Sequence, residues 1–376
     1  MLCDQERLER LRLIRSENVG PITFRRLVAR YGSAVAALKA LPELARRGGT
    51  GAAPRVCSVA EAEAELAALG AIGARLVAMD EPDYPPLLRH IDDAPPLIAM
   101  LGGASILRRA TIAIVGARNA SLNGRRIAAD IARGLGAAGC TVVSGLAHGI
   151  DAAAHVAALA SGTAAVVAGG ADVVYPQDHQ DLYAAIAERG LILAEMPPGL
   201  RPQAGYFPRR NRLISGTCQG VVVVEASLRS GSLITARFAL EQGREVMAVS
   251  GSPLDPRARG ANDLIRQGAT LVETPADVLN ALARPTSRPS PPPLDLGPIP
   301  EADADDARGD AEADAAERLA AALSAAPVTV DELIRSCQLS PPLVTTILLE
   351  WELAGRIERL PGNRITMIAF AKCPSR

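Results

Sequence analysis

The middle of the chain alternates between short apolar runs and longer amphipathic segments. Strands buried on both faces of a parallel sheet read as continuous apolar runs of this kind. The segments between them have helical length, and such strand–helix alternation is typical of an α/β fold. We therefore predict an extended Rossmann-like domain with a doubly wound, mostly parallel sheet. The runs are residues 112–115, 142–143, 165–168, 191–194, 221–224, 246–249 and 270–272.

The pattern before this domain is helical. Residues 6–69 place apolar side chains such as Leu8, Leu11 and Ile14 at spacings of three and four, which predicts a small all-helical module. The turn Asn-Val-Gly-Pro at residues 18–21 fits a helix-hairpin-helix, whose glycine turn presents backbone N–H groups to a DNA phosphate. It fits an ordinary connection between helices equally well.

A strand and a proline-rich stretch follow the helical module. Residues 74–79 predict a strand, and the Pro-Pro pairs within residues 84–97 fix an extended backbone. We expect this stretch to connect two domains and to carry no chemistry.

Composition changes abruptly after Leu282. Residues 285–300 are rich in Pro and Ser and residues 301–317 carry a run of carboxylates, which predicts a flexible linker. Three helical segments and a short hairpin then predict a winged helix. Its third helix, residues 341–354, has two carboxylates and no basic side chain, so we expect the module to bind protein or to pack rather than read bases. The predicted domains are residues 1–72, 73–283, 284–314 (a disordered linker) and 315–376.

Charge and cysteine content narrow the class of protein. Lys and Arg number 40 and Asp and Glu number 41, so a nucleic-acid site must be a local basic patch. The six cysteines are far apart and form no CxxC pair, which argues against zinc fingers and disulfide frameworks. The first residues lack the order of a signal peptide, and no apolar stretch reaches membrane-spanning length. We expect a cytoplasmic protein without a membrane contact.

The loops that follow the predicted strands are the place to look for a ligand, since ligands of such sheets bind at the carboxyl ends of the strands. These loops are rich in small residues, Arg and Asn. Arginine donates paired hydrogen bonds to phosphate, and a small-residue turn that opens a helix presents backbone N–H groups to an anion. We therefore predict a phosphate-chain site formed by Gly116, Arg118, Asn119, Ser144, Gly145, Phe207, Arg209, Arg210, Asn211, Arg212, Ser230, Gly231 and Ser232.

The number of donors favours a polynucleotide over a mononucleotide, because one phosphate cannot use them all. A concave rim of loops without a groove-reading helix favours a single strand over a duplex. Aromatic residues make up 3% of the chain, so base stacking is restricted; Phe207 is the expected platform, with Tyr206 as a candidate second ring. We expect phosphate contacts to dominate, with little sequence preference.

Enzymatic chemistry is disfavoured by the motifs. Arg118 stands where a dinucleotide-binding G-x-G-x-x-G needs its second glycine, and no P-loop Gly-Lys-Ser or Gly-Lys-Thr occurs. A nucleotide-processing phosphoribohydrolase, resembling the lysine-decarboxylase-like family, is the alternative function. Residues 230–238 lack the catalytic Glu of that family. We predict no catalytic and no cofactor-binding residue.

Metal binding is a separate alternative. His148, Asp151 and His155 lie on one helical face at spacings of three and four, and they can either hold a metal or cap the helix. We favour the structural role and predict no metal site.

A series of motifs spans the central domain. They are Ile114-Val115-Gly116-Ala117-Arg118, Ser144-Gly145-Leu146-Ala147-His148-Gly149-Ile150-Asp151 with His155, Phe207-Pro208-Arg209-Arg210-Asn211-Arg212, Glu225-Ala226, Ser230-Gly231-Ser232-Leu233-Ile234-Thr235-Ala236, Gly243-Arg244, Gly260-Ala261-Asn262-Asp263-Leu264-Ile265 and Gly268-Ala269. Together they closely resemble the DNA-processing protein A family, DprA, also called Smf.

The resemblance implies an architecture and a function. It implies a sterile-alpha-motif-like helical N-terminal domain, a Rossmann-like core that binds single-stranded DNA, and in some members a C-terminal winged helix. Its members protect incoming strands during natural transformation of competent cells and help load a RecA-type recombinase. They form homodimers through the core and have no established catalytic activity.

The resemblance also assigns the pocket by position. It implies that Arg118, the Ser144-Gly145 turn, Phe207, residues 209–212 and residues 230–232 form the DNA pocket.

Two departures from the family pattern bear on affinity. Ala117 replaces a Ser found in many members, and Ala204-Gly205 stand before Phe207 in place of a lysine, for which Arg201 can compensate.

Overall fold

A computed structural model describes residues 2–47, 54–283, 308–323, 326–360 and 362–368. The chain begins with four helices, as the apolar spacing predicts. Helix α2 has Gly20 as its N-cap and Pro21 in its first turn, and it ends at Gly32 with φ +76°. Proline at the start and glycine after the end are the expected helix signals. The helices are α1 (Asp4–Arg15), α2 (Pro21–Tyr31), α3 (Ala34–Arg47) and α4 (Val59–Ala71).

A nine-stranded sheet dominates the central part of the chain. Its strands are β1 (Arg75–Ala78), β2 (Leu97–Gly102), β3 (Thr111–Gly116), β4 (Thr141–Ser144), β5 (Thr163–Val167), β6 (Leu191–Ala194), β7 (Gly220–Val224), β8 (Glu245–Ala248) and β9 (Thr270–Leu271). The helices between them are α5 (Leu122–Ala137), α6 (Ile150–Ala158), α7 (Gln180–Arg189), α8 (Tyr206–Gly216), α9 (Gly231–Glu241), α10 (Arg259–Arg266) and α11 (Pro275–Ala283).

The strand order is β1-β2-β6-β5-β4-β3-β7-β8-β9. Strands β3 to β9 pair in parallel, and β1 and β2 add antiparallel strands at one edge. The prediction of a mostly parallel Rossmann-like sheet is confirmed. Strand β3 lies between β4 and β7. The connection from β3 leads to β4 on one side, and the connection from β7 leads to β8 on the other side, so the loops after β3 and β7 diverge between these two strands. Such a switch point opens a crevice at the carboxyl ends of the strands.

Alternate side chains of the strands enter two separate cores. On β3, Ile112 and Ile114 join the core formed with α5, α6 and α11. Ala113 and Val115 join the core formed with α8, α9 and α10. Successive strand residues point to opposite faces, so this division shows helices covering both sides of the sheet.

The proline-rich stretch was predicted to connect two domains, but it lies inside the central unit. Tyr84 is buried and donates a hydrogen bond to the carbonyl of Pro95 at 2.7 Å, inside the central unit. Strand β2 begins directly after Pro96 and pairs with both β1 and β6. The apolar run at residues 97–101 was the signal for this strand, and the prolines before it only mark its start.

The C-terminal elements have the order of a winged helix, which confirms that prediction. Thr329 and Glu332 form a capping box at the start of the second helix. Helix α12 begins at Arg308, inside the predicted linker, and residues 284–307 of that linker lie outside the described residues. The elements are α12 (Arg308–Ala322), β10 (Val328–Thr329), α13 (Val330–Cys337), α14 (Pro341–Leu353), β11 (Ile357–Leu360) and β12 (Arg364–Met367), with sheet order β10-β12-β11.

The described residues group into two compact units. One unit contains Met1–Leu8 and Val59–Pro285, so α4 packs with β1 in the central unit. The other contains Glu9–Ser58 together with the C-terminal winged helix.

Within the second unit, helix α14 is packed against the N-terminal helices. Leu349 and Leu353 of α14 share one apolar core with Phe24, Leu27 and Leu41. The side chain of Asn18 donates a hydrogen bond to the carbonyl of Leu353 at 3.0 Å. The helix that a DNA-reading winged helix would place in the major groove is therefore engaged in an intramolecular contact.

None of the helices in the described ranges is both long and apolar enough to cross a membrane.

Candidate nucleic-acid interface

A cleft lies at the carboxyl ends of β3, β4 and β5, beside the start of α8. Its lining brings together residues that are far apart in the sequence. Among them are Arg118, Gly145, His148, Tyr175, Phe207 and Arg210. The loops after three neighbouring parallel strands thus converge on one site at the carboxyl ends of the strands, where ligands of such sheets bind.

Arg118 and two aromatic rings form the open part of the cleft. The guanidinium of Arg118, an exposed side chain, lies 5.2 Å from the centre of the Phe207 ring. The rings of Phe207 and Tyr175 are 5.6 Å apart at an interplanar angle of 52°. A cation and two π faces therefore stand side by side, which suits a nucleotide with its phosphate and its base. The sequence offered Tyr206 as a candidate second ring of the platform, and the structure places the ring of Tyr175 beside Phe207.

The turn that carries Arg118 is held close to the sheet. A Cβ added at Gly116 would lie 1.8 Å from the carbonyl oxygen of Val224, so only glycine fits. The backbone N–H of Ala117 donates to the carbonyl of Glu225 at 2.7 Å. Gly116 thus fixes the direction of the turn, and Asn119 is exposed on the same turn.

The N-terminus of α5, next to this turn, already holds an anion. Ser121 caps the helix by accepting a hydrogen bond from the N–H of Gly124 at 2.9 Å. The carboxylate of Glu225 accepts from the N–H and the hydroxyl of Ser121 at 2.8 and 2.5 Å. This carboxylate occupies the position that the pyrophosphate takes in a dinucleotide-binding fold, which agrees with the missing glycine pattern.

Arg210 forms the floor of the cleft. Its side chain is buried, and Nη1 donates to the carbonyls of Gly145 and Val166, both at 2.6 Å. Burial lowers the pKa of Arg210 to about 10, and the charge of Asp151 opposes that shift. The guanidinium therefore stays charged at neutral pH, 5.9 Å from the Phe207 ring.

The first residues of the loop after β4 form a buried scaffold. Asp151 accepts hydrogen bonds from the N–H groups of Gly145 and Ala147 at 3.1 and 3.2 Å. Burial raises the pKa of Asp151, and the nearby Arg210 opposes the shift. Ser144 is fully buried and donates its hydroxyl to the carbonyl of Ile114 at 2.6 Å. Ser144 therefore positions the loop and, contrary to the prediction, has no surface to offer to DNA.

The side chains of the predicted cluster at residues 209–212 point in different directions. Arg212 is buried, with ion-pair distances of 2.5 Å to Glu195 and 3.4 Å to Asp93, so it is not available to phosphate as predicted. Asn211 is also buried and donates to the carbonyl of Gly231 at 3.2 Å. Arg209 is exposed. Successive helical residues point about 100° apart, so one helix cannot direct four consecutive side chains into one cleft.

The turn before α9 has the predicted form. Ser230 is the N-cap, and its hydroxyl lies 2.7 Å from that of Ser232, which is buried. Gly231 is exposed at the helix start and is tied to α8 through Asn211. This turn extends the same strand edge, although it does not line the cleft.

His148 and His155, which the sequence places on one helical face, do not belong to one site. His155 is buried with Nδ1 2.8 Å from the hydroxyl of Thr163, and burial lowers its pKa to about 3. Asp151 and His155 thus act inside the fold, as the structural alternative states. His148 lies instead beside Asp178 and His179 at the rim of the cleft. Sequence reasoning missed this grouping because the residues belong to loops after different strands.

Comparison with known proteins supports the whole architecture. Residues 75–283 match the family described as DNA recombination-mediator protein A. Residues 4–68 match a DprA-like N-terminal HHH domain, and residues 299–363 match a DprA winged helix domain. The chain is 38% identical over 298 residues to Protein Smf of Escherichia coli strain K12, covering 78% of this chain and 77% of that protein.

Two solved structures are similar in fold. The X-ray structure of DNA processing protein A (DprA) from Streptococcus pneumoniae has a TM-score of 0.61 and 35% identity, covering 74% of this chain and 98% of that chain. A structure of DNA processing protein A from Helicobacter pylori has a TM-score of 0.52 and 27% identity, covering 56% and 95%. The H. pylori work describes a unique single-stranded DNA binding mode for that protein.

Proposed function

Because this chain belongs to the DNA recombination-mediator protein A family, we propose that it acts in DNA processing by binding single-stranded DNA in the cleft of the central unit. The observation that carries the proposal is the meeting of Arg118, Arg210, Phe207 and Tyr175 in one cleft. The H. pylori relative, described as a single-stranded DNA binder, supports the same ligand class.

Each group has a separate role in the proposed complex. Arg118 is exposed and donates to a phosphate of the strand, and the charge of Arg210 beneath it strengthens the positive potential. Phe207 and Tyr175 offer ring faces to one or two unstacked bases. Asn119, Arg209 and Gly231, all exposed, extend the path of the backbone beyond the cleft.

The geometry favours an unpaired strand. The ring faces line the open part of the cleft, and a base can stack on them only when it has left the base stack of a duplex. In a duplex the bases are paired and stacked. Helix α14 corresponds to the helix that enters a groove in DNA-reading winged helices, and here it is packed on the N-terminal helices.

The family membership supports a wider role. We propose that the chain protects incoming single strands during natural transformation and helps load a RecA-type recombinase, without catalysing a reaction itself. A homodimer through the central unit and a protein contact made by the winged helix belong to the same proposal.

Fluorescence anisotropy with three labelled ligands tests this function. We expect the full chain to bind a 30-nucleotide oligo(dT) strand much more tightly than a 30-base-pair duplex or a labelled dTMP. Affinity for the strand should fall with salt, with a log–log slope of roughly 0.7 per neutralised phosphate. Equal affinity for the duplex, or release of free base from a mononucleotide, would contradict the proposal; the second result would support a phosphoribohydrolase.

A further inference from the structure

Three metal-ligating side chains meet at the rim of the cleft. His148 belongs to the loop after β4, and Asp178 and His179 belong to a short helical turn, Gln177–His179, after β5. One ligand atom from each lies within 4.8 Å of the others. Within the described part of the chain, this is the one group of three His, Cys, Asp or Glu side chains that meets that criterion.

The contacts within the group are close. Nδ1 of His148 lies 3.6 Å from a carboxylate oxygen of Asp178. The His148 and His179 rings stand edge to face, with centroids 4.7 Å apart and an interplanar angle of 70°. Two imidazoles and one carboxylate thus point toward a common volume.

His179 is held in the tautomer that a metal ligand needs. Its Nδ1 lies 3.0 Å from the carbonyl oxygen of Leu146. A carbonyl only accepts hydrogen bonds, so Nδ1 carries the proton and the lone pair is on Nε2. Metal-bound histidines in proteins are oriented in this way, by donating the other ring N–H to a carbonyl or a carboxylate. Leu146 is buried, so the acceptor is fixed by the packing of the loop.

We propose that His148, Asp178 and His179 bind one divalent zinc ion per chain at the rim of the cleft. Two nitrogen ligands and one oxygen ligand suit Zn²⁺, and three protein ligands leave a fourth position open. The site goes beyond the proposed function, because none of its three ligands is a residue to which a strand contact is assigned, although His148 also lines the cleft.

The three ligand side chains must move slightly closer together to bind one ion. With bonds of about 2.1 Å, two ligand atoms on one zinc ion stand at most ~4.2 Å apart, compared with the 4.8 Å limit of the group. The side chains of His148 and Asp178 are 47% and 70% exposed, so they can rotate toward His179 without disturbing the core.

The test uses full-length protein without an affinity tag, stripped of metal, with Cys3→Ser as background because Cys3 is an exposed thiol. Zinc chloride is titrated by calorimetry into this background and into His148→Ala, His179→Ala, Asp178→Asn and His90→Ala variants. His90 is the matched control, an exposed histidine outside the group. Co²⁺ absorption then reports the coordination geometry.

We expect one Zn²⁺ per chain in the background and in the His90 variant. The two histidine variants should lose at least tenfold in affinity, and Asp178→Asn should weaken binding by a smaller factor. Equal zinc binding by all variants, or none by the background, overturns the site. Oligo(dT) binding by the metal-free background is measured in parallel: failure there with zinc binding intact refutes the proposed function alone, and retention without zinc binding refutes the metal site alone.

Discussion

The guanidinium carbon of Arg118 lies 5.2 Å from the centre of the Phe207 ring, although the two residues are far apart in the sequence. Arg118 follows β3 and Phe207 opens α8. Their contact joins a phosphate donor to a stacking platform, and two substitutions separate these contributions.

Replacing Arg118 with Ala should weaken oligo(dT) binding by roughly tenfold or more at low salt, because the substitution removes a charge-assisted phosphate contact. The salt slope should become shallower by roughly 0.7 for that contact. Arg133→Ala, on the exposed surface near the end of α5, is the control and should bind as the parent protein does. Unchanged affinity and slope in the Arg118 variant would exclude this residue from the site.

Replacing Phe207 with Ala should lower affinity while leaving the salt slope unchanged, since the ring contributes stacking rather than charge. A stacked base contributes about 1–3 kcal/mol, which corresponds to roughly 5- to 150-fold in the dissociation constant. Phe207→Trp should retain binding, and Phe207→Leu should behave like the Ala variant because it restores apolar packing without a π face. A Leu variant with parental affinity would show that stacking is not used.

The aromatic platform could be predicted from the sequence only in part. The strand-end rule placed Arg118 and Phe207 at one edge, and that part is observed in the cleft. Tyr175 could not be assigned, because its position depends on how the loop after β5 folds back toward α8. The run at residues 209–212 was read as one cluster, yet a helix turns its residues in different directions, so Arg212 points into the fold.

Arg212 should matter for stability rather than for direct DNA contact. Its side chain is 4% exposed between Glu195 and Asp93, so Arg212→Ala leaves two mostly buried carboxylates, 12% and 24% exposed, without their cation. Breaking a buried pair in this way costs about 3–5 kcal/mol. Thermal unfolding should show a marked fall in Tm. Arg237→Ala, which removes an ion pair to Glu241 from an exposed helix face, should change Tm little. A stable Arg212 variant with specific loss of DNA binding would contradict this assignment.

His155 should make stability depend on pH. Burial holds its pKa at about 3, below the 6.5 of an unfolded histidine, so the unfolded state binds the proton first as pH falls. Stability is therefore complete above pH 6.5 and is lost progressively between pH 6.5 and 3. At pH 5 this group alone should cost about 2 kcal/mol.

Chemical denaturation at pH 7.5 and pH 5 measures this loss. His155→Gln should show a smaller difference between the two pH values than the parent protein does. His90→Gln, at an exposed site, should keep the parental difference. The same pH dependence in all three proteins would assign the loss to other groups.

The sharing of one apolar core by α14 and the N-terminal helices makes the two ends of the chain fold as partners. Asn18 and Leu353, 335 positions apart in the sequence, are joined by a hydrogen bond. A protease cut between residues 283 and 308 would therefore sever the backbone without releasing the C-terminal fragment, which would co-purify with the rest of the protein until that core is unfolded.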